Sequence, residues 1–112
     1  LNNSNGFSFF ISLSETSFEI IIFNKNEFVF FNSFGINDEN EFLYYTFFVL
    51  KNYQRSIDSD KIIFLGKYER FKKFYDLASK YSKIEFIEDD INFLISYKSQ
   101  SFLILNENNI RK

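Results

Sequence analysis

The chain has no cysteine, histidine, proline, methionine or tryptophan, and only 3 glycines among its 112 residues. Each gap closes off a class of chemistry. Without cysteine there is neither a disulfide framework nor a thiolate metal site. With histidine missing too, a Ser-His-Asp or Cys-His triad cannot be built; a Ser-Lys pair survives, but no spacing supports one. Scarce glycine means few loops whose backbone amides can close around a phosphate. Positive charge is not in surplus either. The 13 Lys and Arg stand against 15 Asp and Glu, for a net charge of −2 and an isoelectric point of about 5.1. The two signs are interspersed, so the long-range attraction to nucleic-acid backbones is missing. No apolar run approaches the ~20 residues of a bilayer span. Leu1 to Gly6 is a polar stretch without a signal-peptide pattern, expected to be flexible. Together these features predict a soluble, cytoplasmic protein that binds neither nucleic acid nor membrane. With Leu1 first and no methionine anywhere, the chain is expected to be a piece of a longer protein.

What the chain does have is aromatic: 18 Phe and 7 Tyr. Exposed rings could stack on single-stranded bases, but stacking platforms come with a basic groove, and none is apparent. The abundance of Phe, Ile, Asn, Tyr and Lys beside scarce Ala, Gly and Arg is what AT-rich coding DNA produces. Phe then serves as generic core filler. A chain of this length is one domain, able to bury roughly two thirds of its unfolded surface.

Periodicity orders the segments. Phe7, Phe9, Ile11 and Leu13 alternate with Ser8, Phe10, Ser12 and Ser14, which predicts a strand with one well-buried side. Phe18 to Phe23 and Phe28 to Phe31 are two more strands, joined by Asn24-Lys25-Asn26-Glu27 as a hairpin. Asp38-Glu39-Asn40-Glu41 opens a helix: Asp38 can accept the N–H of Glu41, whose carboxylate reaches back. Phe42, Tyr45, Val49 and Tyr53 share its apolar stripe, widened by Leu43, Phe47 and Leu50, so much of its circumference is expected to be covered. Ile62-Ile63-Phe64-Leu65 is a continuous run, predicted to be a parallel strand buried on both faces and ending at Gly66. Tyr68 to Tyr81 has helical spacing, and Ile84 to Ile87 is a last strand. Beyond Ile91, Phe93–Ile95 and Phe102–Leu105 fit strand or short helix equally well. Strand, strand, strand, helix, strand, helix, strand is an α/β fold: three antiparallel strands, then two parallel ones, with helices across the sheet.

That order resembles the ribonuclease-H-like subdomain that occurs twice in the actin-like ATPase (ASKHA) superfamily. More narrowly, Phe31-Asn32-Ser33-Phe34, Glu41-Phe42-Leu43-Tyr44-Tyr45 with Phe48, and Phe64-Leu65-Gly66 resemble a bacterial family catalogued as domain of unknown function 3822. The likeness runs from about Phe7 to Leu105 and corresponds to the second half of that family's longer proteins. The expected layout is therefore a ribonuclease-H-like domain over 7–112 that forms one half of a two-lobed protein.

The resemblance also says where ATP would bind. In active superfamily members the first turn carries an Asp and glycines against the phosphates. The corresponding Ser12-Leu13-Ser14-Glu15-Thr16-Ser17 has neither, and Glu15 sets negative charge there. Where the superfamily places a Gly-Gly turn against the adenosine, this chain has Gly66-Lys67. If Mg-ATP binds the full-length protein, Ser12, Ser14 and Gly66 are the cofactor-binding candidates. No catalytic residue and no metal ligand is expected. Nucleases of this fold gather several carboxylates on two metal ions, whereas serine (Ser12 or Ser14) and Gly66-Lys67 stand where acids are needed. In Glu88-Asp89-Asp90, adjacent side chains point alternately apart, and the loop lacks the glycine of a calcium-binding turn. Asp58 and Asp60 are expected to shape the approach to the fourth strand. Tyr44-Tyr45 suits either an interface or a helix packed on the sheet with its hydroxyls in water.

The function expected from the sequence is a non-catalytic scaffold or protein-interaction module with an eroded actin-like ATPase fold. Its partner would be another protein or the missing N-terminal half, and the apolar face left by such a cut would favour homo-oligomers. The alternative is the ATP-binding lobe of a working ATPase completed by that other half. Single-stranded nucleic-acid binding ranks last.

Overall fold

The computed structural model describes residues 6–56 and 60–90. The expectations for Leu1 to Asn5, Asp58 and everything after Asp90 lie outside that range. The elements run β1 (Phe7–Leu13), β2 (Ser17–Asn24), β3 (Glu27–Gly35), α1 (Glu39–Asn52), β4 (Ile62–Leu65), α2 (Lys72–Ser79) and β5 (Ile84–Ile87). A short 3-10 turn, Glu69–Phe71, leads into α2. They form one five-stranded sheet in the order β3-β2-β1-β4-β5. β1, β2 and β3 are an antiparallel meander, while β4 lies parallel to β1 and β5 parallel to β4.

Local chemistry explains the joints. The β2–β3 connection is a two-residue turn, with Lys25 and Asn26 both at positive φ (55° and 68°). That conformation matches the twist of the flanking strands. The Lys25 N–H donates to the Gly6 carbonyl (3.0 Å), tying the start of β1 to the hairpin tip. At α1, the Asp38 carboxylate accepts the Glu41 N–H (2.9 Å), and the Glu41 carboxylate accepts the Asn37 N–H (3.0 Å). This is the expected reciprocal cap, reaching back one residue further than a minimal capping box.

Both crossovers, β3 to β4 and β4 to β5, step in the same direction across the sheet. Right-handed connections in one direction carry their helices to one face. The main core lies there: Phe7, Phe9 and Ile11, Phe18, Ile20 and Ile22, and Ile62 and Phe64 from the sheet meet residues of both helices. Phe42 of α1 is its hub, with ring centroids 5.1 Å from Phe18, 5.4 Å from Phe74 and 6.4 Å from Phe64.

Three expectations are corrected. β1 is buried on both sides: Ser8 and Phe10 are as buried as Phe7 and Phe9. Phe10, Ile21, Phe23, Ile63 and Leu65 form a second cluster on the face opposite the helices. β3 runs on to Gly35 rather than stopping at Phe31, because its polar Asn32 and Ser33 are exposed and break the apolar pattern without breaking the strand. On α1, Phe47 does not widen the buried stripe. It is exposed with Tyr44 and Phe48, so a broad aromatic strip of the helix faces water.

One clasp fixes the far end of α1. The Arg55 guanidinium donates Nη2–H to Asp60 Oδ1 (2.6 Å) and Nε–H to Oδ2 (3.0 Å), while stacking over Phe7 at 4.5 Å. The Asp60 side chain is only 3% exposed. Asp60 thus shapes the approach to β4, as expected.

Candidate functional site

In open α/β sheets, ligands bind beyond the carboxyl ends of the parallel strands. Here those ends are Leu13-Ser14 of β1, Leu65-Gly66 of β4 and Ile87-Glu88 of β5. The β1–β2 turn is closed on itself. The Ser14 N–H donates to the Ser17 carbonyl (2.9 Å), the Ser14 hydroxyl donates to the same carbonyl (3.0 Å), and the two hydroxyls lie 3.0 Å apart. Thr16 is held as well, its carbonyl accepting the Ile36 N–H (2.9 Å). The Ser14 amide and hydroxyl that a phosphate would need are therefore occupied within the turn.

Gly66 has φ +81°, a left-handed conformation that suits glycine. The ring of Tyr68 roofs it: a Cβ at Gly66 would lie 2.5 Å from the ring and 2.8 Å from the Asp89 Cβ. Tyr68 is held at both ends. Its N–H donates to the buried Tyr75 hydroxyl (3.0 Å), and its own hydroxyl donates to the Asp89 carboxylate. That hydrogen bond needs the protonated phenol, and it raises the Tyr68 pKa above the usual tyrosine value. The Arg70 guanidinium stacks on Tyr68 (4.8 Å) and Phe71 (4.6 Å). Its Nε lies 3.7 Å from Glu15, a loose and solvated ion pair that joins the β1–β2 turn to the β4–α2 turn.

The three sequence candidates are thus placed differently. Ser14 and Gly66 reach the same end of the sheet. Ser12, by strand alternation with Phe9 and Ile11, sits on the face away from the helices. Tyr68, Arg70 and Asp89 dominate the site; the sequence suggested Tyr68 only as the start of a helix and Asp89 only as part of an acidic strand exit, and nothing in it singled out Arg70. Glu15 was read as a negative charge near phosphate, and the structure gives it Arg70 as a neighbour.

Beside this end lies an open groove of about 590 Å³, lined by residues including Lys67, Glu69, Lys72, Tyr75 and Asp76. Its charges are largely matched. Lys72 pairs with Asp76 at 2.8 Å, and that hydrogen bond raises the lysine pKa. Lys67 sits 5.1 Å from the Phe86 ring. Among the described residues no three acids gather into a metal-binding group. Among the described residues, the serine hydroxyls at this end and in the groove bond to one another and to carbonyls rather than to a lysine or carboxylate.

Comparison with known proteins then places the chain. A family model described as protein of unknown function (DUF3822) matches residues 1–84, three quarters of the sequence. The chain belongs to the DUF3822 family. The matched span includes the Asn32-Ser33, Tyr44-Tyr45 and Leu65-Gly66 segments that carried the resemblance and stops short of the expected Leu105. None of the curated proteins matches. Among solved structures, this DUF3822 chain is similar to a protein of Bacteroides thetaiotaomicron VPI-5482 described as having an actin-like ATPase fold and unknown function. Identity is 16% and the TM-score 0.65, over 80% of this chain and 36% of that one. The DUF3822 chain thus has an actin-like ATPase fold and spans about a third of that neighbour's length. No helix among its described residues is long and apolar enough to cross a membrane.

Proposed function

We propose that this chain is a non-catalytic lobe of an actin-like fold, acting as a scaffold or protein-interaction module in the bacterial cytoplasm. Its partner is a protein surface, either another chain or a second lobe of a longer protein, and not a nucleic acid. The observation that carries this reading is the self-satisfied strand end. Tyr68 roofs Gly66, Asp89 holds Tyr68, and Ser14 is bonded to Ser17. A nucleotide seated there would have to displace the ring and open the serine turn, and it would meet Glu15 on arrival. Glycine-poor turns offer little in return, because their side chains hold backbone amides away from phosphate oxygens.

The test is calorimetric titration of Mg-ATP into the full-length protein, alongside Tyr68→Ala and Glu15→Ala. No heat of binding is expected from any of the three. Micromolar binding by the native protein would overturn the proposal in favour of an ATP-binding lobe completed by another half. Binding gained only in Tyr68→Ala would identify that ring as what keeps nucleotide out.

A further inference from the structure

The exposed side of α1 is the least explained surface of the molecule. Tyr44, Phe47 and Phe48 are 62%, 38% and 52% exposed, and Tyr81, just past α2, is 49% exposed. They form one patch: Tyr44 and Phe48 stack with centroids 6.4 Å apart, and Phe47 meets Tyr81 edge-on at 5.9 Å. A hollow of about 300 Å³ opens beside it, lined by Phe47, Leu50, Lys51, Arg55 and Ser56. At roughly 200 Å² per ring and about half exposed, four such rings offer about 400 Å². That is half of the ~800 Å² which each partner contributes to a standard interface.

From this patch we infer that the partner it fits is a second copy of the same chain, docked α1 against α1 in antiparallel fashion around a two-fold axis. The inference deepens the interaction-module proposal and rests on it. At 100° per residue, Asn40, Tyr44, Phe47, Phe48 and Lys51 fall on one outward stripe. The stripe is self-complementary when reversed. With the axis between Phe47 and Phe48, each of these rings meets its own mate, and Tyr44 comes level with Lys51 of the other copy. There the ammonium can cover the tyrosine ring, and the ring can enter the hollow beside Lys51. Antiparallel helix dipoles also attract, with the basic last turn at Lys51 carried toward the N-terminal half of the partner's helix. A parallel pairing would stack like against like.

Sedimentation of the full chain tests the inference. A patch of this size should give a dimer with a dissociation constant on the order of 1–100 μM. Phe48→Glu, at an exposed position, should weaken association at least about tenfold, because two like charges meet at the axis. Tyr44→Ser should weaken it without any charge change, which guards against a folding artefact in the first variant. Phe48→Cys should form an interchain disulfide on mild oxidation, while Asn32→Cys on the far edge strand should not. A monomer throughout the range, or a dimer that survives Phe48→Glu and is trapped through Asn32→Cys, would overturn the α1 pairing. Adding Mg-ATP to the same samples separates the two claims: a monomer that ignores ATP refutes only the dimer, whereas ATP binding refutes the non-catalytic reading.

Discussion

Replacing Asp60 by alanine tests how much of the fold hangs on the clasp between α1 and β4. The Asp60 side chain is 3% exposed and that of Arg55 18%. Two parallel hydrogen bonds of 2.6 and 3.0 Å make the pair a bidentate fork. Removing one member of a buried pair costs about 3–5 kcal/mol, since a bidentate, charge-assisted contact is lost from a largely dry site. Arg55 keeps some access to water and its place over Phe7, which argues for the lower end, about 3 kcal/mol. For a domain near 100 residues that is a fall in Tm of about 12 °C. Urea unfolding followed by far-ultraviolet circular dichroism would measure it, with the slope m unchanged. The companion variant Arg55→Met removes the other half of the fork. The double variant should therefore recover about 2 kcal/mol relative to the sum of the singles. The Lys61–Glu85 pair is equally short at 2.7 Å but half in water, so Glu85→Ala should cost less than about 1 kcal/mol. An Asp60→Ala protein within about 0.5 kcal/mol of native, or strict additivity with Arg55→Met, would refute the reasoning.

Two further outcomes concern the strand end. Gly66→Ala should destabilise by about 2–4 kcal/mol, combining a left-handed backbone with a Cβ driven into Tyr68 and Asp89. Gly35→Ala, where a Cβ meets nothing within 4 Å, should stay within about 0.5 kcal/mol of native; equal effects in chemical unfolding would contradict the roofed geometry. The Tyr68 phenol, raised first by its hydrogen bond to Asp89, should ionise at higher pH than a free tyrosine in an ultraviolet titration, and Asp89→Ala should reduce the difference. A folded-state pKa above the unfolded one means this bond stabilises fully below the ordinary tyrosine value and is lost as pH rises through the folded value. A loss of stability at alkaline pH as steep in Asp89→Ala as in the native protein would count against it.

Much of the fold was legible because its signals are local. The alternation of β1, the Asn-containing hairpin, the Asp38 and Glu41 cap and the doubly buried Ile62–Leu65 run are all written within a few residues of one another. The parallel order of β4 and β5 follows from the helices between them. What escaped was set by distance or by a limit of periodicity. Tyr68 begins an apparent helical repeat, yet its backbone is extended (φ −122°, ψ 134°), and its N–H is taken by Tyr75 seven residues on. Its hydroxyl partner, Asp89, is 21 residues away, so no spacing announces the pair. On α1 eight apolar or aromatic residues surround most of the helix, and periodicity alone cannot say which of them face water. Phe47 was therefore read as core, although only Phe42, Leu43, Val49 and Leu50 are buried with Thr46.

The strand end and the outer face of α1 differ in what a ligand would have to undo. At the strand end, Tyr68, Asp89, Ser14 and Ser17 already satisfy one another, and Glu15 lies beside Arg70. Any ligand there must replace each contact it breaks, and a net gain requires better geometry than the side chains already have. On α1, Tyr44, Phe47 and Phe48 face water with only ring contacts between them. Covering them breaks no hydrogen bond within the protein and removes apolar surface from solvent at roughly 25 cal/mol per Å². Area alone does not set affinity, because ordering and lost freedom of motion oppose it. The sign of the difference between the two surfaces is nonetheless fixed: one must be dismantled before it can bind, and the other is ready as it stands. That difference is what supports the proposed recognition through α1 rather than through the strand end.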